Sequence, residues 1–140
     1  MPIKPENRAR YPVDWPEIRL RILRRAGYRC EHAGCGARQY AVGVWQNGVF
    51  LPVAQDGDTY SQARQNAADA HFTLYGDGPC DRKIIVIVLT IAHLDHQPEN
   101  CADDNLRALC QRHHLAHDHD HHRANAQATR RAKAGTAELF

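Results

Sequence analysis

Residues 93–122 read HLDHQPENCADDNLRALCQRHHLAHDHDHH and hold eight of the ten histidines in this chain. They follow the apolar run IIVIVLTIA at 84–92, which predicts a continuous strand buried on both faces. The polar residues 94–105 predict a loop, LRALC at 106–110 predicts a short second strand, and the Ala-, Arg- and Gln-rich residues from 111 to about 133 predict a helix. The order is therefore strand, loop, strand and helix, with histidines directly after the first strand and at the start of the helix.

A short helix is predicted on the amino-terminal side of this stretch. Residues 1–13 contain three prolines and predict an irregular arm. Trp15, Ile18 and Ile22 then recur at helical spacing, so we expect an amphipathic helix that ends near Gly27.

The middle of the chain predicts a hairpin and another helix. Asn47-Gly48 within AVGVWQNGVFLPV (41–53) is a strong signal for a two-residue turn. Residues 59–71 predict a short helix, and GDGPCDR at 76–82 predicts a loop. Short strands and helices in this order indicate a small α+β domain.

Cysteine content and hydropathy narrow the class of protein. Five cysteines are an odd number, and the amino-terminal residues are too polar for a secretion signal, which argues against a secreted disulfide framework. We therefore expect a reducing, cytoplasmic setting, where paired cysteines more often bind metal. The apolar run at 84–92 is too short to span a bilayer, so no membrane partner is expected. Cys80 and Cys101 look unpaired and are not expected to bind metal.

Two close pairs of metal-binding residues stand far apart in the sequence. Cys30 and Cys35 enclose four residues, and Cys110 and His113 enclose two. Two such pairs are typical of a tetrahedral structural zinc site, here built from three thiolates and one imidazole. His32 lies inside the first pair as a rival ligand, and buried free thiols beside a surface histidine are the alternative.

The motifs of the opening stretch resemble those of the HNH endonucleases. Members of this family often read His-His-Ile-Asp, then an Asn-rich turn, then Asn-Leu, then Leu-Cys-x-x-Cys-His. This chain has AHLD at 92–95, PEN at 98–100, NL at 105–106 and LCQRHH at 109–114, with His113 where cysteine is usual. The resemblance implies a ββα-metal core of strand, loop, strand and helix.

The resemblance covers only part of the chain. It extends over 28–36 and 88–122, whereas 37–82 has no counterpart and looks like an insertion. We therefore expect a single domain over 1–140, with the ββα-metal core at 83–133.

The resemblance also implies roles for individual residues. His93 corresponds to the general base, because neutral imidazole suits proton removal from water near pH 7. Asn105 corresponds to the residue that supports the base through the loop backbone. His114 corresponds to a ligand of the catalytic divalent metal, which would be Mg²⁺, Mn²⁺, Ni²⁺ or Zn²⁺. Asp118 follows one helical turn later on the same face and is a second candidate ligand.

One position departs from the family pattern in a way that matters for metal binding. Many relatives place Asp or His beside the base, but Ala92 cannot coordinate a metal. Asp95 or His96 could substitute, or the metal would rely on His114 and Asp118 alone.

The implied function is metal-dependent cleavage of DNA, with a protein partner as a further source of specificity. Net charge is only +2, yet arginines concentrate in the first and last thirds of the chain, which suits phosphate contact. A solvated helix face is the alternative for these arginines and for several of the histidines at 117–122. A catalytically inactive, zinc-stapled nucleic-acid-binding module and a histidine-rich metal-buffering protein remain rival hypotheses. The candidate phosphate-binding residues are Arg107, Arg112, Arg123, Arg130 and Arg131.

Overall fold

The computed structural model describes residues 3–77 and 83–138, and within them the chain is a mixture of helices and small sheets, as the α+β prediction required. The arm that was predicted to be irregular contains a 3-10 helix at Pro5–Arg10, and a second one lies at Asp103–Asn105. Cys80 and the rest of 78–82, within the predicted loop, lie outside the described residues. The α-helices are α1 (Trp15–Arg25), α2 (Tyr60–Tyr75) and α3 (Gln111–Glu138), and the strands are β1 (Val42–Gln46), β2 (Val49–Pro52), β3 (Ile85–Val86), β4 (Thr90–His93) and β5 (Leu106–Leu109).

The strands form two separate antiparallel sheets. One has the order β2-β1-β3, and the other pairs β4 with β5. Thr90 is opposite Leu109 and His93 is opposite Leu106, so the two strands of the smaller sheet match end to end. Both α1 and α3 pack against β4 and β5. The strand–loop–strand–helix order predicted for the histidine-rich stretch is therefore observed.

The prediction of one continuous strand over 84–92 is wrong, because this run is divided between the two sheets. β3 ends at Val86 and β4 begins at Thr90. Between them, the backbone N–H of Val88 donates to the side-chain amide oxygen of Gln111 (3.1 Å), and that of Leu89 donates to the side-chain amide oxygen of Gln39 (2.6 Å). Side-chain amides thus replace the strand partner that these peptide groups would otherwise need.

The core lies between α1 and the smaller sheet, where the predicted apolar stripe of α1 is confirmed. Ile18 and Ile22 are buried against a cluster that includes Ile91 and Leu106. Burial of each such side chain contributes about 1.5–3 kcal/mol to stability. α1 ends at Arg25 with Ala26 as its C-cap, so the predicted end near Gly27 is confirmed, and Gly27 follows with a positive φ of 64° that suits glycine.

The hairpin and helix predicted within 37–82 are confirmed, although α2 runs to Tyr75 instead of ending near residue 71. Asn47 and Gly48 both have positive φ, as a two-residue hairpin turn requires. At Gly43 a side chain is excluded, because a Cβ there would lie 2.2 Å from the carbonyl oxygen of Leu51. None of the helices in the described residues is long and apolar enough to cross a membrane.

Candidate functional site

Cys30, Cys35, Cys110 and His113, the four residues predicted to bind zinc, converge at one place. Their donor atoms all lie within 4.8 Å of one another. The Sγ atom of Cys110 is 3.2 Å from Nδ1 of His113 and 4.0 Å from Sγ of Cys35, and Sγ of Cys30 is 3.7 Å from the same imidazole nitrogen. We call these four residues the Cys3His cluster.

The separations in the Cys3His cluster fit a tetrahedral metal ion. With zinc–sulfur bonds of about 2.3 Å and zinc–nitrogen bonds of about 2.0 Å, neighbouring ligands of one ion lie roughly 3.5–3.8 Å apart. The three separations given above, from 3.2 to 4.0 Å, bracket that value, and all the donor atoms lie within 4.8 Å of one another. The cluster can therefore hold a metal such as zinc.

The pKa values of the cysteines in the Cys3His cluster also favour a metal site. Hydrogen bonding from Cys110 lowers the pKa of the Cys30 thiol, which favours the thiolate at this sulfur. The same interaction and burial raise the pKa of Cys110, and burial raises the pKa of Cys35. One negative sulfur thus opposes ionisation of its neighbours, and a bound cation would remove that opposition.

Local backbone geometry presents the first cysteine pair. Gly34 and Gly36 flank Cys35 with φ values of 79° and 60°, and the backbone N–H of Cys30 donates to the carbonyl oxygen of Ala37 (2.9 Å). The N–H of Glu31 also donates to the carbonyl oxygen of Ala108 in β5 (2.8 Å). These contacts bring the turn beside the end of β5, where the second pair begins.

His32, the rival ligand, is placed beside the cluster and not within it. Its ring stacks on that of His113 with centroids 3.8 Å apart and planes at 9°. The ring of Trp45 meets His113 edge-on at 6.1 Å, and the guanidinium of Arg112 lies 5.1 Å from the centroid of Trp45. Trp45 of the hairpin therefore packs against the imidazole of His113. The guanidinium of Arg112, a predicted phosphate contact, packs over the ring of Trp45.

His93 lies at the end of β4 in an aromatic environment. Its side chain is 8% exposed and stacks on Trp15 with centroids 5.1 Å apart, while Tyr11 approaches its edge. Its Nε2 atom is 3.7 Å from Sγ of Cys101, which does not join the Cys3His cluster. Burial lowers the pKa of His93, so its imidazole is neutral at pH 7.

Asn105 closes the loop between β4 and β5 through both atoms of its amide. Its Nδ2 donates to Oδ1 of Asp95 (2.9 Å) and to the carbonyl oxygen of Asn100 (2.8 Å), and its Oδ1 accepts from the N–H of Asp95 (3.2 Å). Hydrogen bonds from Asn100 and Asn105 lower the pKa of Asp95 to about 2. Asp95 is therefore a structural acceptor within the loop.

His114 and Asp118 meet on one face of α3, as their spacing predicts. Nε2 of His114 is 3.1 Å from Oδ2 of Asp118, and Nδ1 of His114 hydrogen-bonds the hydroxyl of Thr90. His96, from the loop, places Nδ1 at 3.3 Å from the other carboxylate oxygen. Thr90 was not singled out from the sequence, although it is the one hydroxyl in an otherwise apolar run.

Ala92 contributes no donor atom, because its side chain is a methyl group, and this methyl is buried in the core at 1% exposure. Of the two substitutes considered, Asp95 faces its own loop and His96 faces Asp118. The structure thus brings His96, and not Asp95, to Asp118, one of the two residues on which the metal was predicted to rely.

An open cleft of about 540 Å³ is lined by these histidines and by Asp118. We call it the histidine cleft, because its lining includes His93, His96, His114, His121 and His122 together with Asp118.

Basic residues of the amino-terminal arm and α1 also line the histidine cleft. Lys4, Arg10 and Arg19 belong to its lining, and Arg10 is held by Glu99, 2.5 Å away. No local pattern indicates the contact of Arg10 with Glu99, because the two residues are 89 positions apart in the sequence. None of the five arginines predicted to contact phosphate is among the residues that line the cleft.

Other arginines are used to hold the fold. Arg21 pairs with Asp103 at 2.7 Å, and Arg25 pairs with Glu31 at 2.8 Å and donates to the carbonyl oxygen of Leu106. Arg107 lies on the exposed face of β5, and the predicted arginines of α3 beyond the cleft are also exposed: Arg123, Arg130 and Arg131.

Comparison of the chain with models of known protein families gave no match, and comparisons with curated proteins and with solved structures gave none either.

Proposed function

We propose that this chain is an HNH-type, metal-dependent endonuclease that hydrolyses DNA phosphodiester bonds in the histidine cleft. The observation that carries the proposal is the meeting of His93, His114 and Asp118 in one cleft that also has basic residues in its lining. A base, metal ligands and positive charge each contribute to metal-dependent hydrolysis of phosphodiesters.

His93 acts as the general base in this proposal. Its neutral imidazole removes a proton from the water that attacks phosphorus. Because Nε2 is directed at Cys101, Nδ1 is the nitrogen assigned to this transfer. Asn105 holds the loop that follows His93, and Trp15 fixes the plane of the ring by stacking on it.

His114 and Asp118 would hold the catalytic divalent ion, and one imidazole nitrogen with one carboxylate oxygen is a donor set suited to such ions. When bound, the ion supplies positive charge that stabilises the phosphate as it reacts. The Thr90 hydroxyl on Nδ1 orients His114 so that Nε2 faces the carboxylate.

Zinc in the Cys3His cluster has a structural role in this proposal. Four protein donors leave no open coordination position for substrate, as in structural zinc sites. The ion ties the turn at Cys30–Cys35 to the first turn of α3, and His114 follows His113 directly.

DNA would enter along the arm and the exposed side of α3. Lys4, Arg10 and Arg19 stand at the cleft, and Arg123 and Arg130 extend the positive charge along α3. Contacts of this kind position the phosphate backbone and do not read sequence, so a protein partner would supply specificity.

A plasmid-nicking assay with Mg²⁺, Mn²⁺, Ni²⁺ or Zn²⁺ tests the proposal. We expect His93→Ala and His93→Gln to lower the nicking rate roughly 100- to 10,000-fold, the usual effect of losing a general base. His119→Ala is the matched control, because this histidine is exposed on α3 and is not among the cleft-lining residues. Equal nicking by the wild type and both His93 variants would exclude the enzyme.

A nucleic-acid-binding module without catalysis is the second candidate, and Ala92 is the observation that favours it. It predicts tight, salt-dependent binding of a fluorescent DNA duplex by a protein that nicks with none of the four metals. Binding that disappears in Arg19→Ala, without nicking by the wild type, would establish this alternative.

A further inference from the structure

The carboxylate of Asp118 has histidine nitrogens on both of its sides. Oδ2 is 3.1 Å from Nε2 of His114, and Oδ1 is 3.3 Å from Nδ1 of His96. The side chain is only 14% exposed, so both contacts are held inside the cleft wall. Oxygen and nitrogen ligands of one tetrahedral ion lie about 3.3 Å apart, which matches the separation on each side.

The side of Asp118 that faces the loop has a donor set of its own. Donor atoms of His96, His117 and Asp118 lie within 4.8 Å of one another. Nε2 of His117 lies 3.3 Å from the carbonyl oxygen of His93 and donates its proton there, which leaves Nδ1 with a free lone pair. A backbone carbonyl on the second nitrogen is the usual support of a metal-binding histidine.

The rings around this point are arranged in parallel. His96 stacks on His117 with centroids 4.7 Å apart and on His121 with centroids 4.5 Å apart, with interplanar angles of 20° and 3°. His96 itself has a φ of 58°, and its N–H donates to the carbonyl oxygen of His93 (3.1 Å). This left-handed turn brings the loop histidine back to α3.

We propose that His96, His117 and Asp118 form a second metal site, separate from the ion assigned to His114, with Asp118 giving one carboxylate oxygen to each ion. Two imidazoles and one carboxylate favour Zn²⁺, Ni²⁺ or Co²⁺ over Mg²⁺. In sharing Asp118 with the catalytic ion, this inference rests on the proposed function. Two ions beside one another are an established arrangement for phosphodiester hydrolysis.

Cobalt titration of protein that retains one zinc per chain tests this site without reference to activity. We expect calorimetry to give two Co²⁺ per chain for the wild type, with visible absorption bands and no thiolate charge-transfer band. His96→Asn and His117→Asn should each bind one Co²⁺, and asparagine at 96 tolerates the left-handed turn. His114→Asn should also retain one Co²⁺, bound by the remaining set.

His119→Asn is the control, because this exposed histidine lies on the same helix outside the donor set. It should bind two Co²⁺. One Co²⁺ in the wild type, or equal losses in His117→Asn and His119→Asn, would overturn the second site. Binding of two Co²⁺ without nicking of plasmid would contradict the proposed nuclease function and support the second metal site. Nicking by a protein that binds a single Co²⁺ would support the nuclease function and contradict the second site.

Discussion

The Cys3His cluster and the histidine cleft begin at neighbouring residues of α3 but differ in their surroundings. The cluster is closed, with four protein donors around one point and two of its cysteines buried. The cleft is open, with donors beside about 540 Å³ of accessible space. Closed sites stabilise folds, whereas open ones leave room for water or substrate. The first turn of α3 supplies a residue to each region, because the side chains of successive residues such as His113 and His114 project about 100° apart around a helix.

Removing a cluster ligand should have the largest effect on the molecule. We expect Cys110→Ser to lose the zinc and to unfold or nearly unfold the chain, because structural zinc contributes roughly 10–16 kcal/mol of binding free energy to folded zinc-finger peptides. Metal analysis and thermal unfolding measure both effects. Cys101→Ser, outside the cluster, is the control and should keep one zinc. A folded Cys110→Ser protein with one zinc would contradict the structural role.

The adjacent histidines should separate the two regions directly. We expect His113→Ala to lose zinc and melt at a much lower temperature. His114→Ala should keep zinc and lose only about 1–2 kcal/mol of stability, since it removes a hydrogen bond to Thr90 and the contact with Asp118. Zinc content of the two variants, measured side by side, is decisive. Loss of zinc from both variants would mean that the two regions are not independent, and loss from neither would contradict the assignment of His113 as a zinc ligand.

Within the cleft region, the loop should depend on Asn105. Asn105→Ala removes hydrogen bonds to Asp95 and Asn100, which should cost about 1–3 kcal/mol. Hydrogen exchange at the amide of Asp95 should accelerate with it. Asp104→Ala changes the preceding exposed residue and serves as the control. Unchanged exchange at Asp95 would show that the loop is held by other contacts.

The smallest effect is expected at His32, which stacks on a cluster ligand without binding metal. His32→Ala should keep one zinc and lose about 0.5–1.5 kcal/mol of stability, the usual contribution of a ring pair. Zinc titration and thermal unfolding measure both quantities. If zinc were lost, His32 and not His113 would be the fourth ligand.

Local sequence spacing predicted most of the cluster and part of the cleft. Cys110 and His113 share the junction of β5 and α3, so their spacing alone indicated that they lie together. Asp118 was predicted from helical periodicity. The remainder depends on contacts between distant residues: Arg10 reaches Glu99, and His96 turns back to Asp118. No pattern within a short window records such contacts.

The division of the predicted strand over 84–92 also depends on contacts with residues that are distant in the sequence. The continuous apolar run over 84–92 predicts one strand, because nothing in those residues indicates a change of sheet. The division depends on Gln39 and Gln111, which bind the backbone from far along the chain.

Those two glutamines have a consequence for how the molecule unfolds. The side-chain amide of Gln111 donates to the carbonyl oxygen of Val86, at the end of β3, and accepts from the N–H of Val88, before β4 begins. A shift in register of either sheet would therefore break a hydrogen bond to this one amide group. Two sheets that would each be marginal alone are thereby joined into one cooperative unit. They should open together, in a single transition, and the amide of Leu89 should exchange only through that event.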